Sequence, residues 1–343
     1  MNRLNLIHSR SCLAPVRFFE RAYPSANSVL LMGPYPVLVD TGFGADAPAL
    51  LAWLAAEGVA LDGLRVLNTH AHSDHVGGNW ALQRCGVPVA GSEVDAARIA
   101  AQDPDACRAL WLQQPIEPYR IDQVIRPGQV VQTGTTAWQI LATPGHTAEH
   151  MSLYADGVLV LGDALHAADV GWLDPAHPSA LDWTEATLEM LAALPARVGY
   201  SGHGPAITDL PAALGRARRR VQRWREQPLH IALHACKRIF SHALMLSDGV
   251  DEAGLNGLFQ APWCCDHARL LGMSPVVFIP VLVEEAIRAH AVAWRDGRLT
   301  AVAAYNVPRP GWAGAPTNPA RWPAQTPGQA PGQAKSPRPW TAT

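Results

Sequence analysis

The chain has 343 residues, 48% apolar and only 16% charged, with a net charge of −2 when its histidines are neutral. A chain of this kind can bury a sizeable core as two domains, or as one large domain with appendages. Its charge gives no footprint for a nucleic-acid partner, and no run reaches the ~18 apolar residues of a membrane helix. The six cysteines, Cys12, Cys85, Cys107, Cys236, Cys264 and Cys265, show no C-x-x-C spacing and read as small buried apolar residues. The opening "MNRLNLIHSRSC" lacks an apolar stretch of signal-peptide length, so the cytoplasm is the expected compartment.

In chain order, "SVLLMGPYPVLVDTGFG" predicts a hairpin with apolar runs at 29–32 and 36–39, closed by Asp40-Thr41-Gly42. "APALLAWLAAEG" has helical composition and ends at Gly58. "GLRVLNTH" returns as a strand, and "NWALQRCG" is a short helix ending at Gly86. "AWQILATPGHT" is a strand broken by Pro144-Gly145, "MSLYADGVLVLGD" a hairpin turning at Asp156-Gly157, and "RVGYSGHGP" a last short strand. This is α/β grammar, with polar side chains of unusual type where strands end. From 211 the composition changes. An Arg-rich helix, "AALGRARRRVQRWREQ", is followed by "PVLVEEAIRAHAVAWRDGRL", with helical apolar spacing from Leu282 through Val283, Ala286 and Ile287 to His290. The expected organisation is a catalytic domain over 1–210, a mainly helical domain over 211–306, and a disordered proline-rich tail over 307–343.

The stretch "NTHAHSDHVGGN" places His70, His72, Asp74 and His75 within six positions. Burying four such side chains without partners is costly. On an extended segment, residues i and i+2 point to one side, so His70 and His72 can share a metal ion. The turn after them aims Asp74 and His75 elsewhere, toward a second ion, and Gly77 and Gly78 let the backbone leave the crowded site. Imidazole and carboxylate suit zinc, iron or manganese. Further ligands stand at later strand ends: His146 after Pro-Gly, Asp163 after Gly162, and His203 between two glycines.

Through "THAHSDH", "TPGHT", "LGD", "SGHGP" and the upstream Asp-Thr-Gly, residues 15–210 resemble the metallo-β-lactamase-fold superfamily. The resemblance implies an α/β fold, a four-layer αββα sandwich with a dinuclear site on one edge, followed here by the mainly helical C-terminal domain. It implies one metal held by His70, His72 and His146, a second by Asp74, His75 and His203, and Asp163 bridging both. The implied cofactor is a pair of divalent ions, zinc first, with iron or manganese as alternatives. A carboxylate at 163 is similar to the glyoxalase II, lactonase and ribonuclease Z branches. His72 stands where flavodiiron-type members have Glu, and the helical extension is reminiscent of thioesterase-like members.

The function this implies is hydrolysis of an ester, thioester or lactone by a metal-bridging hydroxide. Asp74 both ligates and accepts the nucleophile's proton. His166, three residues after Asp163 where lactonase-like relatives carry Tyr, contacts the substrate rather than a metal. The expected partner is a small acyl substrate, with no nucleic acid or membrane and with a homo-oligomer left open. The rival readings are a ribonuclease Z-like phosphodiesterase, with phosphates bound by the Arg216–Arg225 run, a mononuclear iron persulfide dioxygenase using His70, His146 and Asp163, and a non-enzymatic binding module. Asp40 is expected to hold a turn or orient a metal ligand. His150, Trp172, Trp183 and the Arg run are expected to be packing or solvated residues.

Overall fold

The structure, a computed structural model, describes residues 13–308 apart from 104, 113, 115, 175 and 176. The tail expected to be disordered lies, from 309 onward, outside the described residues.

Two sheets stack face to face. The first runs in the order β1 (Val16–Phe19), β2 (Ser28–Leu31), β3 (Val37–Val39), β4 (Arg65–Leu67), β5 (Val89–Gly91) and β6 (Gln123–Val124). Its pairs are antiparallel from β1 to β3 and parallel from β3 to β6. Helices α1 (Ala47–Ala56), α2 (Ser73–Val76), α3 (Asn79–Arg84), α4 (Glu93–Ala100) and α5 (Ala109–Leu112) lie between its strands and after β5. The second sheet contains β7 (Val130–Gln132), β8 (Ala137–Ala142), β9 (Met151–Ala155), β10 (Val158–Gly162) and β11 (Val198–Ser201). It is antiparallel except for the β10–β11 pair.

Successive strand residues point to opposite faces, and here both faces are covered. Val29, Leu31, Val37 and Val39 meet Trp138, Ile140, Leu153 and Val160 between the sheets. On the other side Leu30 and Leu38 pack with Leu50 and Leu54 of α1, Leu82 of α3 and Ile99 of α4. The outer face of the second sheet sends Leu159 and Leu161 against α6 (Ala180–Ala193) and α7 (Leu210–Glu226). The layers are therefore helix, sheet, sheet, helix, the αββα sandwich expected from the motifs. Double coverage also explains why "SVLL" and "VLVLG" are continuous apolar runs rather than alternating ones.

Helix α7, which the composition change at 211 assigns to the next domain, buries Leu214, Ala217, Val221 and Trp224 in this outer layer. Its arginines are not one solvated face. Arg216 donates to the Ala167 carbonyl, Arg220 to Asp169, and Arg225 to Asp182 and Glu185, while Arg218, Arg219 and Arg223 are exposed. Beyond it, α8 (Leu229–Leu246), α9 (Glu252–Leu258), α10 (Pro262–Leu270), α11 (Pro275–Arg288) and the hairpin β12 (Val292–Arg295)–β13 (Arg298–Ala301) share a core around Phe240, Leu244, Trp263, Phe278 and Leu282. The helical spacing read through to His290 ends at Arg288, and His290 takes φ 54° as the chain turns into the hairpin. Among the described residues no single helix is long and apolar enough to cross a membrane.

The helix carrying Asp74 and His75 is locked against the loop after β3. A Cβ at Gly77 would lie 2.2 Å from the Gly44 nitrogen and 2.7 Å from the Phe43 carbonyl carbon, both backbone atoms. Gly77→Ala should therefore destabilise the fold by roughly 1–3 kcal/mol. Gly63→Ala, whose added methyl meets nothing within 4 Å, should stay within about 0.5 kcal/mol. Urea unfolding of the two variants compares them; equal stabilities would show that this contact constrains nothing.

Candidate metal centre

Parallel pairing brings the site together. Val39 is opposite Leu67, so Asp40 and Asn68–His70 leave adjacent strands side by side. Gly162 is opposite Ser201, so Asp163 and His203 do the same in the second sheet. A Cβ at Gly202 would sit 2.4 Å from Asp163 Oδ1 and 2.6 Å from His75 Cε1, so only glycine lets β11 end this close. His72 caps α2, which carries Asp74 and His75, and His146 follows β8.

All seven residues implied as ligands are buried and converge. His70, His72 and His146 form one group of ligand atoms lying within 4.8 Å of one another, and Asp74, His75 and His203 form another. His70, His75 and Asp163 form a third that links the two. In the first group His72 Nδ1 lies 3.0 Å from His70 Nε2 and 2.9 Å from His146 Nε2. In the second, Asp74 Oδ2 lies 3.1 Å from His203 Nε2 and 3.9 Å from His75 Nε2. Asp163 reaches both, with Oδ1 3.4 Å from His75 Nε2 and Oδ2 3.5 Å from His146 Nε2.

The ring tautomers test whether these residues fit a cation. His146 Nδ1 must donate, because its partner at 2.6 Å is the Trp172 carbonyl. His75 Nδ1 donates to Asp40 Oδ2 at 2.8 Å. His70 Nδ1 donates to Thr69 Oγ1 at 3.0 Å, because that hydroxyl's own proton goes to Asp40 Oδ2 at 2.8 Å. When neutral, all three rings therefore turn a bare Nε2 lone pair into the site. His75 Nε2 and Asp163 Oδ1 are buried without any hydrogen-bond partner. Unpartnered buried lone pairs of imidazole and carboxylate are the ligand chemistry of a first-row divalent ion.

Electrostatics favour neutral rings in the first group. Burial, reinforced by neighbouring rings, holds His70 and His72 well below the usual histidine range, as required of neutral ligands. Burial also works against a charge on His75, but Asp163, Asp40 and Asp74 outweigh it and raise its pKa. Burial would raise Asp163, yet His203, His75 and His166 outweigh it and hold the carboxyl well below its ordinary value. In Asp74 the same opposition ends with His75 and His203 prevailing, and its pKa is lowered.

His166 belongs to none of the three groups. Its Nε2 is buried without a hydrogen-bond partner, 3.5 Å from Asp163 Oδ1, and its ring stacks on that of His203. Burial chiefly depresses its pKa, to about 3, so the imidazole is neutral.

Several residues do more than their sequence context suggests. His150 Nε2 accepts the Asp163 backbone N–H at 3.1 Å, which leaves Nδ1 to donate to Thr143 Oγ1; the ring packs, but it also fixes the strand end bearing Asp163. Trp172 stacks on His72 at 5.4 Å and holds His146 through its carbonyl. Two cavities adjoin His72 and Trp172. One, of 150 Å³, includes His146 and Trp183; the other, of 420 Å³, runs from Asp74, Asp163 and His203 along α8. Asn27 spans the sheets, donating to the Ser201 and Gly204 carbonyls on either side of His203.

Asp40 is the member of this network easiest to test. Asn accepts on one oxygen only, so Asp40→Asn leaves either Thr69 or His75 Nδ1 facing an amide N–H. Asn also tolerates the φ of 58° found at this position. The variant should fold, yet bind zinc about 10–100-fold more weakly, read by titration with a chromophoric chelator. Unchanged affinity would make Asp40 a turn residue alone.

Comparison with known proteins bears on family. The model of the metallo-beta-lactamase superfamily matches residues 25–203. A hydroxyacylglutathione hydrolase of Acidiphilium cryptum is 34% identical over 162 residues, 46% of this chain and 57% of that protein. A thioesterase of Emericella nidulans is 31% identical over 209 residues, 60% of this chain and 53% of that protein. The matches thus span little more than half of these relatives' length. Among solved structures, a metallo-beta-lactamase family protein from Thermus thermophilus aligns with a TM-score of 0.53 at 24% identity, covering 83% of this chain and 98% of that one. With more than half of its residues under the family model, and both sheets and the convergent histidines where the motifs require them, the chain belongs to the metallo-beta-lactamase superfamily.

Proposed function

We propose that the protein is a dinuclear, metal-dependent hydrolase of thioesters or similarly activated acyl compounds. The observation that carries this reading is Asp163, a buried carboxylate reaching both ligand groups with separate oxygens. The relatives named as a hydroxyacylglutathione hydrolase and a thioesterase support the thioester as substrate. His70, His72 and His146 would hold one ion, Asp74, His75 and His203 the other, and Asp163 both. Two such ions supply a nucleophilic water at neutral pH and polarise a carbonyl.

The remaining work belongs to side chains. Asp74, kept ionised, can accept the proton of the attacking water while Oδ2 stays on the His203 side of the site. Neutral His166 can donate one hydrogen bond to the oxygen that gains charge, or to the departing atom. Trp172, stacked on His72, would form one wall beside the reacting carbonyl.

The test is a substrate panel on zinc-, manganese- and iron-loaded protein: thioesters, lactones, a phosphodiester, and a persulfide with oxygen uptake recorded. Thioester hydrolysis should dominate. Dominant phosphodiester cleavage, or oxygen uptake with one iron per chain, would replace this reading by one of its rivals. His166→Ala should keep both ions and its melting temperature, and lower kcat/KM by roughly ten- to a thousandfold. Loss of an ion would make His166 a ligand, and unchanged turnover would make it part of the wall.

A further inference from the structure

Helix α8 faces the 420 Å³ cavity with polar residues. His234, Lys237, Arg238, Ser241 and His242 are spaced i, i+3, i+4, i+7 and i+8, which is one helical stripe. The opposite face puts Cys236, Phe240 and Leu244 into the helical core. A helix of a two-layer packing ordinarily turns its polar stripe to open solvent. Here the stripe lines a cavity that leads to Asp74, Asp163 and His203.

The charges of that cavity do not balance once the metal ligands are set aside. The one further acid among its described lining residues is Asp169, and it is saturated. Arg220 donates to it through Nε at 3.1 Å and Nη2 at 2.9 Å, and His234 Nε2 lies 3.1 Å away. Lys237 and Arg238 are half-buried, and no side-chain hydrogen bond or ion pair engages either among the described residues. Ser241 Oγ, between them and His242 on the stripe, is buried without a partner. Arg238 lines the same cavity as Asp163 and His203, as do its neighbours on the stripe. Two unneutralised cations and an unpartnered hydroxyl, in a recess partly shielded from water, form a site for an oxyanion.

We propose that the leaving group of the substrate carries carboxylate or phosphate groups, and that Lys237, Arg238 and Ser241 bind them in the cavity along α8. This rests on the thioester reading above. The larger cavity takes the thiol carrier, and the 150 Å³ one beside Trp183 takes the acyl group. Lys237 and Arg238 are specificity residues: they touch the carrier, not the reacting atoms.

The experiment compares acetyl thioesters of glutathione (carboxylates), coenzyme A (phosphates) and N-acetylcysteamine (neutral) on zinc-loaded protein. Wild type should prefer at least one anionic thioester over the neutral one by about a hundredfold in kcat/KM, and lose that preference steeply with salt. Lys237→Gln/Arg238→Gln should lower the anionic-to-neutral ratio by roughly a hundredfold, mainly through KM, at about tenfold per lost charged contact. Lys237→Arg alone, which keeps the charge, should retain much of the wild-type ratio. Which anionic arm responds decides between carboxylate and phosphate. Equal losses on anionic and neutral substrates, or no anionic preference in wild type, would overturn the proposal. Calorimetric binding of S-ethylglutathione and S-ethyl coenzyme A separates it from the hydrolase reading. If no thioester is cleaved but a thioether binds wild type and not the double variant, the anion site stands and the reaction is wrong. If neither thioether binds, the anion site is wrong.

Discussion

The site depends on one buried carboxylate. Asp40, at φ 58° where β3 ends, accepts hydrogen bonds from the Thr69 backbone, the Thr69 hydroxyl and His75 Nδ1. The first two hold the chain that delivers His70, and the third sets the tautomer of His75. Through Thr69 the same carboxylate also sets the tautomer of His70. Next to it, Thr41 Oγ1 bonds Asn79 Oδ1, and the Thr41 N–H donates to the His75 carbonyl. The Asp-Thr-Gly turn therefore holds both candidate ligand groups in register, although none of its side chains belongs to either. Imidazoles this buried and this close would repel as cations and orphan their lone pairs as neutral rings. A fixed acceptor behind them makes the arrangement tolerable, and a cation in front of them completes it.

Strand ends carry the rest. Each sheet contributes a parallel pair at this edge, β3 with β4 and β10 with β11. Residues far apart in sequence consequently leave the two sheets at one place: His70 and His75 from the first, Asp163 and His203 from the second. Helix α8 closes the side left open by the sandwich. His242 bonds Gln114 with Nδ1 and the Pro24 carbonyl with Nε2, so the helical layer is tied to both loops flanking Asp74. The sandwich supplies the convergent side chains, and the helical layer supplies one wall of the cavity beside them.

What was legible in the sequence follows from how local each signal is. The candidate ligands were legible as a cluster because four of them crowd into "HAHSDH" and the others stand beside glycine or proline at strand ends. The hairpins at 29–39 and 151–162 were legible from their turn residues. Strands as short as β5 and β7, three residues each, leave no period to read. The 14-residue helix α6 escaped because its buried positions include Thr184 and Thr187, which bond the Ala180 and Pro144 carbonyls and blur the apolar face. The Arg220–Asp169–His234 tie, the support of Asp163 by His150, and the inward polar stripe of α8 join segments 13 to 65 residues apart. A polar stripe looks the same in sequence whether it faces water or a cavity, so the role of the α8 stripe shows only once its neighbours are placed.

The central claim is that Asp163 joins two ion sites built on the support of Asp40. The most direct measurement is anomalous diffraction at the metal edge from crystals of the fully loaded protein. The account predicts two peaks, one among His70, His72 and His146 and the other among Asp74, His75 and His203, with one Asp163 oxygen on each. A single peak, or two peaks with Asp163 bound to only one, would contradict it.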